Sequence, residues 1–252
     1  ARFRDTDYNY RELLKEIVLS HYYRAIDDAG AGEGALLLAG TAQLLTPEKL
    51  NRKIQVTTGF PWRRSRTSND NLLDRYEMLY GGIDSNSVTE RLREPNGIIA
   101  NIGLRMATEV SCLTVSQDFA IPRDQRRLFP WVEVGYQPIT ADGLPVPEAE
   151  RRIRKNIQYL HYRLTGEHLE EDSTEISETY ALWLSTWEEG RNRVKSGEEA
   201  ANLYHLCDAT TDYWTNEALP VEDRIYQDSD YTIRAWMAVM TYELSDYRFL
   251  FE

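Results

Sequence analysis

NGIIANIGLRMATEVSCLTVSQDFA, Asn96 to Ala120, is the longest uninterrupted helical pattern in the chain. Ile99, Ile102, Met106, Val110 and Leu113 recur at i, i+3/i+4 spacing and make one apolar stripe. Leu104, Cys112, Val115 and Phe119 fall nearly on the opposite side at about 100° per residue. Apolar stripes on two sides predict a helix packed on both faces, and therefore at the centre of the fold. The stretch holds no proline, and Gly97 and Gly103 are its only weak points.

Helical signals also dominate on either side. Asp7 is placed to cap a helix over about Tyr8–Ser20, with Leu13, Leu14, Ile17 and Val18 on its apolar face. Gly30 to Gly34 blocks its extension, and a short apolar run follows at Ala35 to Leu45. Thr46-Pro47-Glu48 is a strong helix start: an N-cap Thr, Pro at the first position, an acid in the first turn. That helix should end near Gly59, and Pro61 blocks its continuation. Another fits Asn69 to Tyr80, stopped by Gly81-Gly82. Helices are also predicted over Pro147–Leu164, Ser173–Lys195, Gly197–Glu217 and Asp230–Phe249, the start near Ser173 offering several caps. Alternating period-2 patterns are nearly absent, and Val132 to Tyr136 is the best strand candidate.

Between these blocks, Phe129 to Pro147 is punctuated by Pro130, Pro138, Pro145, Gly135 and Gly143. Loops longer than about 12–15 residues are uncommon in compact domains and tend to be functional or linking. The expected architecture is therefore all-α: an N-terminal helical half (1–128), a connecting loop (129–147) and a C-terminal helical half (148–252). Phe129, Trp131, Val132, Val134 and Tyr136 are too apolar for a free linker, which marks them as an ordered contact surface.

The chain has 252 residues, 42% of them apolar, with 6 Trp and 16 Tyr, enough for a substantial core without staples. Its net charge is −12. That balance argues against nucleic acid or anionic lipid as partners, since both require clustered Lys and Arg. No uninterrupted apolar run approaches the roughly 20 residues of a membrane span; the longest runs from Ala235 to Met240. No signal peptide is visible at Ala1-Arg2-Phe3, so any leader is expected to lie outside this sequence. Of 29 basic residues only five are Lys, a bias that suits either a GC-rich genome or bidentate carboxylate pairing.

Most chemical patterns fail on inspection. Asp5, Asp7, Asn9 and Glu16 fall at calcium-loop positions, but Tyr10 occupies the place of the turn glycine, so a helix cap is preferred. Asp84-Ser85-Asn86 also reads as a cap. Gly30-Ala31-Gly32-Glu33-Gly34-Ala35 follows a helix rather than the strand a dinucleotide fingerprint needs. His21, His161, His168 and His205 form no ligand pattern. H-E-x-x-H, G-x-S-x-G and phosphate-loop sequences are absent. The sequence thus points to no catalytic, cofactor or metal site.

Two segments stand out. Phe60-Pro61-Trp62-Arg63-Arg64-Ser65-Arg66 sets three arginines among aromatics in an acidic chain. Arg63, Arg64 and Arg66 are candidates for contact with an anion or an acidic partner, and intramolecular pairing with acids is the competing reading. Trp183, Trp187, Trp214 and Trp236 read as core at helical spacing. The two cysteines, Cys112 and Cys207, fit one disulfide or two buried thiols.

The chain also repeats a phrase. Asp228-Ser229-Asp230-Tyr231-Thr232-Ile233-Arg234 near the C-terminus matches Asp5-Thr6-Asp7-Tyr8-Asn9-Tyr10-Arg11. Each opens an apolar run closed by Leu-Ser-x-Tyr, at Leu19–Tyr22 and Leu244–Tyr247. Tyr10 to Arg24, Leu45 to Leu50, and Ile233–Trp236 with Arg248–Phe251 together resemble a group of large secreted proteins of planctomycetes and myxobacteria. Those proteins carry helical domains of unknown function beside c-type cytochrome domains. The resemblance implies export, a helical fold and cytochromes as company. The C-x-x-C-H haem attachment of the cytochrome module is missing here. The expectation is a non-catalytic structural or interaction subunit of a periplasmic or extracellular assembly, bound to other protein subunits. The alternative is an enzyme with a site around Arg63, Arg64, Arg66, Asp84 and His161.

Overall fold

A computed structural model describes residues 9–19, 43–83, 88–92, 96–140 and 142–252, and the described residues are mainly helical. The chain forms two compact units, residues 1–43 and 44–252. In the first, α1 spans Tyr10–Leu19. Asn9 precedes it, and its side-chain oxygen accepts the Arg11 N–H at 3.0 Å. The cap expected at Asp7, the Gly30–Ala35 run and the Asp84–Asn86 turn lie outside the described residues.

The second unit holds α2 (Pro47–Thr58), α3 (Asn71–Asp74), α4 (Gly97–Phe119), α5 (Pro147–Thr165), α6 (Thr174–Ser196), α7 (Thr232–Ser245) and α8 (Tyr247–Leu250). Their ends follow the sequence chemistry. Thr46 caps α2 through the Lys49 N–H, and Gly59 closes it in the left-handed conformation at φ 90°. Asn96 caps α4 by accepting from the N–H groups of Ile98 and Ile99, both at 2.9 Å. Ser173 caps α6 through Ile176, settling that start.

α4 is the central helix. It packs chiefly on α7, which also contacts α5 and α6. Met106 and Val115 are fully buried. The second stripe is only partly so, because Leu104 is 53% exposed on the outer face of the first half. From Thr114 to Phe119 the helix is buried all round. By length and averaged composition α4 could cross a membrane, although half of its most apolar window is buried within the fold. A count of uninterrupted apolar residues misses this because Asn101, Arg105 and Glu109, with Ser, Thr and Gly, interrupt the run.

Three corrections concern elements. The helix expected over Asn69–Tyr80 is one turn, Asn71–Asp74, because the Tyr76 N–H reaches back to the Asn71 carbonyl and its ring stacks on Trp62 at 5.3 Å. Gly197–Glu217 is not helical. Gly197 ends α6 at φ 78°, and the Asp212 carboxylate takes the N–H groups of Trp214 and Thr215 into a local turn. The segment pairs instead with the chain after it: Ala209 and Ile225 exchange both backbone hydrogen bonds, at 2.7 and 3.0 Å. The predicted Asp230–Phe249 helix is two, broken at Asp246, whose backbone is extended and whose carboxylate caps α8.

The loop 129–147 is not a seam between halves. The Asp118 carboxylate accepts the backbone N–H groups of Arg127, Leu128 and Phe129 at 2.8–3.0 Å, turning the chain back onto the core. Phe129 and Val132 are fully buried, so these two are core rather than contact surface, and Val134 and Tyr136 pack partly against it. Trp131 lies under the Lys155 ammonium at 3.6 Å from the ring centre. The strand candidate Val132–Tyr136 is a turn, closed by the Tyr136 N–H on the Glu133 carbonyl. A row of aromatic rings crosses the unit: Phe119 on Phe129 (4.5 Å), Phe129 on Trp236 (5.2 Å), Trp236 on Trp183 (5.7 Å), Trp183 on Trp187 (5.9 Å). Such rings each bury large apolar areas and hold preferred tilts. Trp214 departs from the expected tryptophan core; it is 63% exposed.

The two ends of this unit meet. Leu44 and Phe251 form an antiparallel bridge, the Leu45 N–H binds the Leu250 carbonyl at 2.9 Å, and Lys49 pairs with Glu252.

Candidate functional site

A cleft of about 860 Å³ lies between α4, the Pro61–Arg66 segment and the Tyr204–Asn216 segment. Pro61 and Trp62 are buried at its floor. Five guanidinium groups line it: Arg63, Arg64, Arg66, Arg75 and Arg105. All three arginines singled out in the sequence therefore share one wall. Arg75 and Arg105 went unnoticed, since only folding brings α3 and α4 beside the first three.

The arginines are not equivalent. Arg63 Nε binds Asp70 at 2.5 Å, which bears out internal pairing for this residue. Arg66 donates to the backbone carbonyl of Tyr213 at 3.3 Å and reaches that of Asp212 at 3.5 Å. Arg105 pairs with Glu109 at 2.7 Å. The side chains of Arg64 and Arg75 make no ion pair or hydrogen bond among the described residues; Arg75 lies over the Tyr76 ring at 5.5 Å.

Two acids, Glu109 in the wall and Asp70 just outside it, are already engaged. Glu109 takes Arg105 on one oxygen and the Trp62 indole N–H on the other, at 2.8 Å. Asp70 accepts from Asn51, Gln55 and Arg63. Asp208 stands in the wall near His205; burial raises its carboxyl above the usual range, and His205 pulls it back.

A disulfide forms part of the same wall. Cys112 on α4 and Cys207 are bonded, with Cα atoms 4.5 Å apart and a sequence separation of 95. Of the two readings open in the sequence, the bridge is the one adopted. It holds the irregular 197–217 segment against α4. That segment carries Tyr204, Leu206 and Trp214, each more than half exposed, and Trp214 stacks on Phe60 at 6.3 Å.

His161 is absent from the cleft wall and 1% exposed. Its Nε2 contacts Glu243 at 2.9 Å and Thr179 at 3.3 Å, and its Nδ1 faces Glu167 at 3.6 Å. Burial alone would lower its pKa, but Glu243, then Glu175 and Glu167, raise it above the ordinary histidine range. Glu243 is pushed up by burial and pulled back by His161. Arg248 closes the cluster on Glu167 (2.6 Å), Asp246 (2.9 Å) and Glu175 (3.6 Å). The arrangement is an internal clasp of α5, α6, α7 and α8.

His168 and His205 each lie against a tyrosine, at 4.7 and 4.2 Å. No group of three or more His, Cys, Asp or Glu with metal-holding geometry occurs among the described residues. Asp228, in the repeated C-terminal phrase, is buried and accepts the N–H groups of Ile233 and Arg234, anchoring α7; its counterpart Asp5 lies outside the described residues. Compared with protein-family models, with curated proteins and with solved structures, the chain finds no match.

Proposed function

We propose that this protein is a non-catalytic interaction subunit of a larger periplasmic or extracellular assembly, in the company of c-type cytochromes. The observation that carries the reading is the disulfide-tied segment presenting Tyr204, Leu206 and Trp214 to solvent. A surface of aromatic and apolar side chains held in place before binding loses little entropy on association, and aromatics dominate interface energetics. The disulfide favours an oxidising compartment, in keeping with export. The cytochrome association rests on the resemblance of the helical phrases.

Isolation of the native protein from an envelope or secreted fraction tests this. The expected result is a complex of fixed stoichiometry with haem absorbance, which dissociates when Trp214 and Leu206 are changed to Ser. A lone chain at native abundance, or turnover of a substrate by the purified chain, would refute it.

A further inference from the structure

We infer that the cleft lined by Arg64 and Arg75 is a binding site for a small organic acid: an apolar, flat body bearing a carboxylate. The cleft shares Tyr204 and Leu206 with the surface of the assembly reading, but its arginines play no part in that reading.

The charge argument comes first. In a chain of net charge −12, five arginines line one cleft beside only two carboxylates, Glu109 and Asp208. Glu109 is engaged on both oxygens, by Arg105 and the Trp62 indole. Asp70, just outside, is engaged by three donors. Asp208 forms no ion pair with the arginines, and Arg64 and Arg75 are left without a carboxylate partner among the described residues. A guanidinium presents a planar fork of donors that matches a carboxylate in two parallel hydrogen bonds.

The body of the ligand follows from the remaining walls. Trp62 is in the wall, the buried Tyr76 stacks behind it at 5.3 Å, and the guanidinium groups of Arg75 and Arg105 lie over the Tyr76 ring at 5.5 and 5.8 Å. The ring holds Arg75 without neutralising it, while Arg105 is already paired with Glu109. Leu113, Leu206 and Tyr213 supply apolar wall, and the volume of about 860 Å³ falls in the range of small-molecule sites. The disulfide pins the Leu206 side to α4, so the cleft is formed before a ligand arrives.

Calorimetric titration of the full chain with 2-naphthoate, and with neutral 2-naphthamide of the same shape, tests the site. The acid should bind at least about tenfold more tightly than the amide. Arg64→Gln with Arg75→Gln should weaken the acid by about tenfold or more and leave the amide unchanged. Both side chains are exposed, so the variant should keep its fold by circular dichroism; Arg151→Gln, on α5 away from the cleft, should bind as the unaltered chain. Equal binding of acid and amide, or full binding by the double variant, overturns the inference. Tighter binding of the peptide acetyl-Glu-Phe-Glu-amide than of 2-naphthoate also overturns it, since the carboxylates would then come from an acidic partner segment.

Discussion

The ring of Tyr231 lies against Gly190 of α6 so closely that a β-carbon at that glycine would fall 2.1 Å from the ring. Tyr231 itself has a positive φ of 61°, and its hydroxyl donates to Glu199 at 3.1 Å. The ring has little freedom to retreat. Gly190→Ala should therefore destabilise the protein by about 1–3 kcal/mol through overpacking, despite alanine's better helix propensity. A urea midpoint equal to or above that of the unaltered chain would contradict the contact.

Met106 and Leu104 form a paired test of which face of α4 is core. Met106 is fully buried and Leu104 53% exposed. Met106→Ala should cost about 2–5 kcal/mol. Leu104→Ala should stay within about 0.5 kcal/mol of the original. Denaturant unfolding of both variants gives the comparison directly.

Reduction of the Cys112–Cys207 bridge should destabilise the unit. With a sequence separation of 95, the chain-entropy model gives on the order of 4–5 kcal/mol, and engineered cases often deliver less. Alkylation of unfolded, unreduced protein followed by mass measurement should label no thiol. Labelling of both cysteines would show that the bridge is not formed.

The buried His161–Glu243 pair makes stability depend on pH. His161 has a folded pKa raised above its unfolded value of about 6.5, so its contribution is complete below that value. The contribution is lost as pH rises through the folded pKa. Glu243 is also raised, so it acts in the same direction, losing stabilisation as pH climbs from the ordinary glutamate range. Unfolding free energy should fall on the alkaline side of neutrality, and His161→Gln should flatten that fall. His161→Ala leaves Glu243 buried without its partner and should cost on the order of 3–5 kcal/mol at neutral pH. A flat pH profile between about 6 and 9 would rule this out.

The features legible in the sequence were those with local causes. The Thr46-Pro47 start, the Gly59 stop and the span of α4 each follow from a few adjacent residues. The 197–217 segment was misread because its apolar spacing is compatible with a helix. What decides its shape is non-local: the bridge to Cys112 and the backbone pairing with Ile225. Phe129 and Val132 read as a contact surface because they are too apolar for a free linker in a long loop. Their burial depends on Asp118, whose carboxylate replaces the hydrogen bonds that a helix would have provided. Arg63, Arg64 and Arg66 were visible as a cluster, whereas Arg75 and Arg105 join them only through the packing of Trp62 on Tyr76. The isolation of His161 from that cleft follows from α5 facing inward at that turn.

The pairing of Leu44 and Leu45 with Leu250 and Phe251 means that the chain enters and leaves the 44–252 unit at one place. A unit with adjacent ends can be spliced into a loop of a host protein without stretching either partner. The same adjacency permits its ends to be joined by a short linker and the chain reopened at an exposed turn, such as Gly143, as a circular permutant. The adjacency of Leu44–Leu45 with Leu250–Phe251 is the end geometry that an inserted domain requires.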